Sequence, residues 1–307
     1  MDNIVMAELV NGSGPEAGRP GGPLAKRGSN VGGGLLSTPG EGVVTSLAFR
    51  PDQPGSRIQN VLLAAQGDAL VHVHIGTKRV LHTNYEPGNR LNVVSMRPDG
   101  AAFATAGSDY TVRVYDEATC STSHTLDHGD GVTTNGHASN VFALAWHPDE
   151  PQVLLSGGWD NRVLVWDLRV HRAVRSISGP HICGDAIDVQ PGSGIVLTGS
   201  WRHANPLQLW DLGSGRLLTN LPWWQPEPNG CLPYAARFGP GACSSMIIAG
   251  GSGPKPMVRV YKMKALGDVD LLYTVRLQRP VNALAPLLHP EAAMAVCCDQ
   301  AVHTIAL

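Results

Sequence analysis

The sequence predicts an all-β protein assembled from six copies of one short-stranded unit, and three observations carry that reading. Apolar runs of about five to seven residues, rich in Val, Leu, Ile and aromatic side chains, recur between turn residues, which is strand rather than helix patterning. A proline stands at the turn after the first run of each unit, at Pro51, Pro98, Pro148, Pro191, Pro240 and Pro290, in steps of 47, 50, 43, 49 and 50 residues. A second marker in the same register ends each third run: His74, Tyr115, Trp166, Trp210, Tyr261 and Ile305. Self-similarity at such a period is the mark of supersecondary units that bury a core only against their neighbours.

The clearest copy runs from Gly136 to Arg169. Within it VFALAW, QVLLSG and RVLVWD read as three antiparallel strands, separated by the turn residues HPDEP and GGWDN. Gly136-His137 at its start and Trp166-Asp167 at its end resemble a WD40 repeat. That resemblance implies a WD40 β-propeller of six four-stranded blades, with seven as the alternative. It also implies a buried hydrogen-bond chain from the Trp166 indole through Ser156 and His137 to Asp160. Buried polar groups left unpaired cost roughly 1–3 kcal/mol each, so these four residues read as structural. A catalytic triad would need a pocket and an oxyanion hole besides. Asp68, Asp109 and Asp299 also stand six residues before their third-run marker, whereas units four and five carry two extra residues in that turn (200–206 and 252–256). Only unit three holds all four members, so the other blades are expected to rest mainly on Val, Leu and Ile packing.

Residues 43–307 form the repeat region. Upstream, Ile4–Val10 within residues 1–10 has strand character, and residues 11–42 are dominated by Gly, Pro and Ser. Such a composition buries too little apolar surface to offset its ordering entropy, so a flexible loop is expected there. Exposed sheet edges invite aggregation. The family closes its rings by letting the start of the chain complete the last blade, and the resemblance implies the same role for Ile4–Val10. An open or partner-completed ring is the alternative.

Composition narrows the function. A formal net charge of −2 gives no field favouring nucleic acid or an acidic membrane. No apolar run approaches the ~20 residues of a membrane span, and an acidic residue with a short apolar run at the start does not suit a signal peptide. The six cysteines form no CxxC pair, which argues against a zinc site and for a reducing compartment; Cys297-Cys298 reads as part of a strand. The expected setting is the cytoplasm, with nucleus or cilium as alternatives. No phosphate-binding, nucleophile-elbow or zinc-protease motif is present. The glycine-rich Ala249–Lys255 reads as a loop, and His72 and His74 as ordinary strand histidines. No cofactor, no metal and no catalytic residue is expected.

Surfaces carry the remaining expectations. Trp159 precedes the turn aspartate of unit three, and Trp201 holds the matching place in unit four, followed by Arg202 and His203. Tryptophans beside an arginine on neighbouring blades are the composition of a binding hot spot. The lead-in His128–Asn135 would overhang the same rim, and Trp223-Trp224 is a second candidate. Leu154–Arg169 also fits the pattern ending in WDxR that marks WD40 substrate receptors of cullin-RING ubiquitin ligases, which implies an adaptor contact at Arg169. The expected function is a non-enzymatic scaffold binding other proteins, neither nucleic acid nor membrane. The alternatives are that ubiquitin-ligase receptor, or an enzyme with convergent, perturbed titratable groups at the centre of the ring.

Overall fold

The computed structural model describes residues 43–51, 60–127, 136–223, 230–265, 268–287 and 293–307. Ile4–Val10, residues 11–42, Pro290, His128–Asn135 and Trp224 lie outside them. Six antiparallel sheets follow one another along the chain as the blades of a β-propeller. Blade one is β1 (Val44–Phe49), β2 (Val61–Gln66), β3 (Ala69–His74) and β4 (Arg79–Tyr85). Blade two is β5 (Leu91–Met96), β6 (Ala102–Gly107), β7 (Val112–Asp116) and β8 (Thr122–Leu126). Blade three is β9 (Val141–Trp146), β10 (Val153–Gly158), β11 (Arg162–Asp167) and β12 (Arg172–Ser178). Blade four is β13 (Ile187–Val189), β14 (Ile195–Gly199), β15 (Leu207–Asp211) and β16 (Leu217–Asn220). Blade five is β17 (Leu232–Phe238), β18 (Met246–Ser252), β19 (Met257–Ala265) and β20 (Asp268–Arg276). Blade six shows three strands among the described residues, β21 (Val281–Leu287), β22 (Ala293–Cys298) and β23 (Ala301–Ala306). The fourth strand expected of that blade is not among them.

The core lies in the seams between blades. Leu144, Leu154, Leu164 and Trp166 of blade three pack on Val93, Ala104 and Val114 of blade two. Leu155, Val163 and Val165, on the opposite face, pack on Ile187 and Val196 of blade four. Each fully buried side chain of this size stabilises by about 1.5–3 kcal/mol, so a blade's stability depends on having a neighbour on both faces.

Turn chemistry repeats as the sequence repeats. Between third and outer strands, Lys78, Cys120, His171 and Gly215 all have positive φ (53–69°). A residue in the left-handed region at a hairpin turn creates a bulge, and the register slips at His72/Val73, Val114/Tyr115, Val165/Trp166 and Leu209/Trp210. That recurring slip corrects the reading of unit one: Val73, not His74, matches Trp166, and Asp68 stands five residues before it. The slip is a backbone event, so the side-chain pattern alone placed the marker one residue too far.

A further correction concerns Ala249–Lys255, expected to be a loop. Residues up to Ser252 continue β18. Glycine is required there for packing: a Cβ on Gly250 would meet Val281 at 2.4 Å, and one on Gly251 the Cys231 sulfur at 2.1 Å.

Candidate protein-binding rim

In blade three the Trp166 indole N–H donates to Ser156 Oγ at 2.7 Å. Ser156 Oγ lies 2.6 Å from His137 Nε2, and His137 Nδ1 is 2.8 Å from Asp160 Oδ2. The Ala138 N–H also donates to Asp160, at 3.2 Å. Burial works to raise the Asp160 carboxyl, but the His137 bond and charge outweigh it and hold the group below the usual carboxylate range. The chain ties the lead-in of the blade to its second and third strands.

Blade two carries a buried polar network that the sequence reading missed. Thr105 and Tyr115 occupy the places of Ser156 and Trp166, and both donate to Glu86 Oε1, at 2.5 and 2.9 Å. Asn89 and Arg113 donate to Glu86 Oε2, and Arg113 also reaches Asp109 at 2.6 Å. A carboxylate stands where blade three has an imidazole, and an arginine neutralises it. The available signal was the Thr105–Tyr115 pair, whose two hydroxyl donors need a common acceptor. Blade two therefore does not rest on aliphatic packing alone. Asp299 accepts from Asn282 at 2.6 Å, and the Asp68 backbone carbonyl accepts the Glu86 N–H.

The turn before the third strand and the start of the inner strand meet on one rim. In five of the blades a β-bulge near the start of the inner strand releases one residue from the ladder: Thr45, Asn92, Phe142, Tyr234 and Asn282. Bulges re-aim side chains. Thr45 and Asn92 turn to the next inner strand and donate to the carbonyls of Leu91 and Val141.

Phe142 and Tyr234 instead join the tryptophans of the turns. Trp159, 45% exposed, lies 4.8 Å from the Phe142 ring, and its indole N–H donates to Cys183 Sγ at 3.2 Å. The adjoining Gly184 lets the Tyr234 ring lie against its backbone, since a Cβ there would come within 2.7 Å of the ring. Tyr234 in turn meets Trp201 edge-on at 5.9 Å. Phe142, Trp159, Cys183, Tyr234 and Trp201 thus form a continuous arc over blades three, four and five. Burial pushes the Cys183 thiol up, against the Trp159 bond, and its sulfur accepts because the indole N–H can only donate.

Arg202 is placed otherwise than a hot-spot arginine. Its guanidinium donates to the Gly179 and Asn205 carbonyls and to Gln208 Oε1, bracing the lengthened turn. His203 is exposed beside it. Trp223 is buried, with its indole N–H on the Cys231 carbonyl and Arg259 over its ring, so it belongs to the core and not to a contact patch. Arg169 is 63% exposed by side chain and forks onto Asp167, at 2.9 and 2.7 Å. His72 is buried, with Nε2 3.1 Å from Asn84, and its pKa is lowered to about 4 by burial and by the nearby His82. His74 pairs with Thr77. Among the described residues no group of three or more His, Cys, Asp or Glu is placed to hold a metal. No described helix is long and apolar enough to cross a membrane.

Charged groups converge on the inner strands of blades four and five. Arg237 pairs with Asp185 and donates to the Ile187 carbonyl at 2.8 Å, with Asp188 4.0 Å away. Asp188 accepts the N–H groups of Phe238 and Val189. Burial raises its carboxyl in spite of Arg237. The contacts of Arg237 and Phe238 tie the inner strand of blade five to blade four.

Comparison with known proteins agrees with this architecture. The WD domain, G-beta repeat family matches residues 79–116 and 129–167, the sequence leading through the third strands of blades two and three. Nucleoporin Nup37 of Drosophila melanogaster is 25% identical over 67% of this chain and 61% of its own length. The Target of rapamycin complex subunit wat1 of Schizosaccharomyces pombe is 29% identical over 53% of this chain and 47% of its own. WD repeat-containing protein 1 of Bos taurus is 30% identical over 30% of this chain and 14% of its own. The chain spans less than two thirds of the length of each of these relatives. The chain thus carries WD40 repeats at two positions within an architecture of six propeller blades.

Proposed function

We propose that this chain is a non-enzymatic scaffold that mediates protein–protein interactions within a larger complex, engaging its partner through the rim of blades three to five. The observation that carries this is the aromatic arc of Phe142, Trp159, Tyr234 and Trp201. It is held by a rigid frame and partly open to solvent, and its arginine neighbours are occupied within the fold. Aromatic anchors on a preorganised surface are what protein interfaces use for most of their binding energy. Two relatives fit the reading by name, one a nucleoporin and one a subunit of a Target of rapamycin complex. The same likeness supports an intracellular setting, cytoplasmic or nuclear.

The two rival readings meet specific obstacles. An enzyme at the centre of the ring would use Arg237, Asp185 and Asp188, yet each of these is committed to the strands it joins. A ubiquitin-ligase adaptor contact would have to draw Arg169 away from its two bonds to Asp167. The test is affinity purification from cells with wild type, Trp159→Ala/Trp201→Ala and Arg169→Ala. The rim reading expects the double variant to lose its principal co-purifying proteins while Arg169→Ala keeps them. An unchanged set with the double variant overturns the rim. Loss of a cullin-RING adaptor with Arg169→Ala alone supports the receptor reading instead.

A further inference from the structure

The blades of a propeller radiate from its centre, so outer strands splay and leave a cleft between neighbours. Between blades three and four, the end of this cleft nearest the aromatic arc is closed, because Arg202 reaches across to the Gly179 carbonyl at 2.9 Å. The other end is lined by a slip in the ladder. β12 is the outer strand of blade three, and its register shifts at Val165/Trp166, which leaves Val174 without a partner on β11. Opposed residues of an antiparallel pair share a face. Ala173 lies opposite Trp166 and packs towards blade two. Arg175 lies opposite Val165, which packs towards blade four, and Arg172 lies opposite Asp167, which alternation places with Val165. Residues three apart on a regular strand face opposite ways. The bulge instead brings Arg172 and Arg175 to the same side, facing the cleft.

The facing wall belongs to blade four. Leu217 is opposed to Trp210, whose ring packs towards blade three, so Leu217 looks into the cleft and is 42% exposed. In the turn before it, Gly215 makes room for the Arg175 side chain, since a Cβ there would stand 3.3 Å from Arg175 Cδ. The turn that enters β12 is pinned from its other side, where His171 stacks on His124 of blade two at 4.7 Å. One wall is cationic and the other apolar. The nearby carboxylates are occupied: Asp167 by Arg169, and Asp211 by the N–H and hydroxyl of Ser214 at 2.6 and 2.5 Å. Those Ser214 bonds, followed by the Arg175 charge, hold the Asp211 carboxyl below the usual carboxylate range. Among the described residues the Arg172 and Arg175 side chains make no ion pair and no hydrogen bond. Arg50, Arg97, Arg113, Arg169 and Arg237 each hold a carboxylate. Two guanidinium groups on one face repel until an anion lies between them.

We infer that this cleft receives an extended segment of a partner protein in which acidic and apolar residues alternate. Successive side chains of an extended chain point to opposite sides, and those two apart stand ~7 Å from each other. Such a segment turns its carboxylates to Arg172 and Arg175, each of which can fork onto one, and its apolar side chains to Leu217. Val174, 50% exposed on the lip of the cleft, extends the apolar contact. A nucleic acid would meet an aliphatic wall where its bases need a ring to stack on. The inference does not depend on the aromatic arc, which lies at the opposite end of the blades.

Fluorescence anisotropy of the full chain with a short labelled peptide of alternating glutamate and leucine tests it, against a control peptide of alternating glutamine and leucine. The acidic peptide is expected to bind at least tenfold more tightly than the control and to lose that advantage in Arg172→Ala/Arg175→Ala. Arg216→Ala, which alternation from Leu217 turns away from the cleft, is expected to leave binding unchanged. Arg172→Glu/Arg175→Glu is expected to prefer a lysine–leucine peptide instead. Equal binding of the acidic and control peptides overturns the inference, as does a loss with Arg216→Ala as large as that of the double variant. Single-stranded RNA that binds the same two arginines more tightly than the acidic peptide overturns it in favour of nucleic acid.

Discussion

Blade three and blade six are made of the same kind of strands, yet among the described residues one is packed on both faces and the other mainly on one. Val163 and Val302 hold the same place in their third strands, and their exposures are 0% and 69%. Apolar content does not separate them, since blade six lacks charged strand residues altogether. The neighbour does: blade three packs on blades two and four, while the core of blade six among the described residues is shared with blade five. In a repeat architecture the burial of a side chain is largely a property of the adjoining unit. Blade three adds a buried polar chain that fixes its lead-in, where blade six has Val296 in the place of Ser156.

The same substitution at both places separates the two blades by the largest margin. Val163→Asp puts an unpaired carboxylate into a packed seam and is expected to cost about 4 kcal/mol or more. Val302→Asp is expected to cost about 1 kcal/mol. Urea unfolding of the two variants measures both, and equal losses would show the seams to be alike. Next in size is His137→Ala, which strands Ser156 and Asp160 in the interior and is expected to cost about 3 kcal/mol. Thr105→Val in blade two removes one of several donors to Glu86 and is expected to cost about 1 kcal/mol.

Acid separates the blades through two groups. The His72 pKa is lowered to about 4, so the unfolded chain takes up a proton that the folded chain refuses. Stability is full above pH ~6.5 and falls by about 3 kcal/mol as the pH drops to ~4. Asp160 is held below the usual carboxylate range, so its contribution is present above pH ~4 and is lost as the pH falls further. A pH series of unfolding midpoints should therefore show His72→Gln flattening the first window and Asp160→Asn the second. Gly184→Ala crowds both the Tyr234 backbone carbonyl, at 2.5 Å, and its ring, at 2.7 Å, and so displaces Tyr234. It is expected to weaken partner capture and to lower the unfolding midpoint, because backbone of blade five must give way.

How much of this was legible depended on whether the signal was local. Proline turns and the aromatic third-strand marker are local, so the repeat count and the all-β class could be read directly. Trp159 and Trp201 were found because they stand beside a turn of known register. Phe142 and Tyr234 were not, because a bulge re-aims them and no residue pattern announces it. The same blindness to backbone slips put the unit-one marker at His74 instead of Val73. Gly250 and Gly251 read as a loop by composition, although the space a Cβ would need is taken by Val281 and Cys231. Trp223 looked like a surface anchor because an indole beside a Pro-rich stretch gives no clue that an arginine will cap it.

Whether the arc of blades three to five is the surface that meets a partner can be measured at the tryptophans themselves. Labelling the tryptophans with fluorine and titrating with the principal protein recovered by affinity purification gives a residue-by-residue answer. The Trp159 and Trp201 resonances are expected to shift, while those of Trp166 and Trp210, bonded inside their blades to Ser156 and Thr198, stay in place. Binding that leaves Trp159 and Trp201 unmoved would contradict the account.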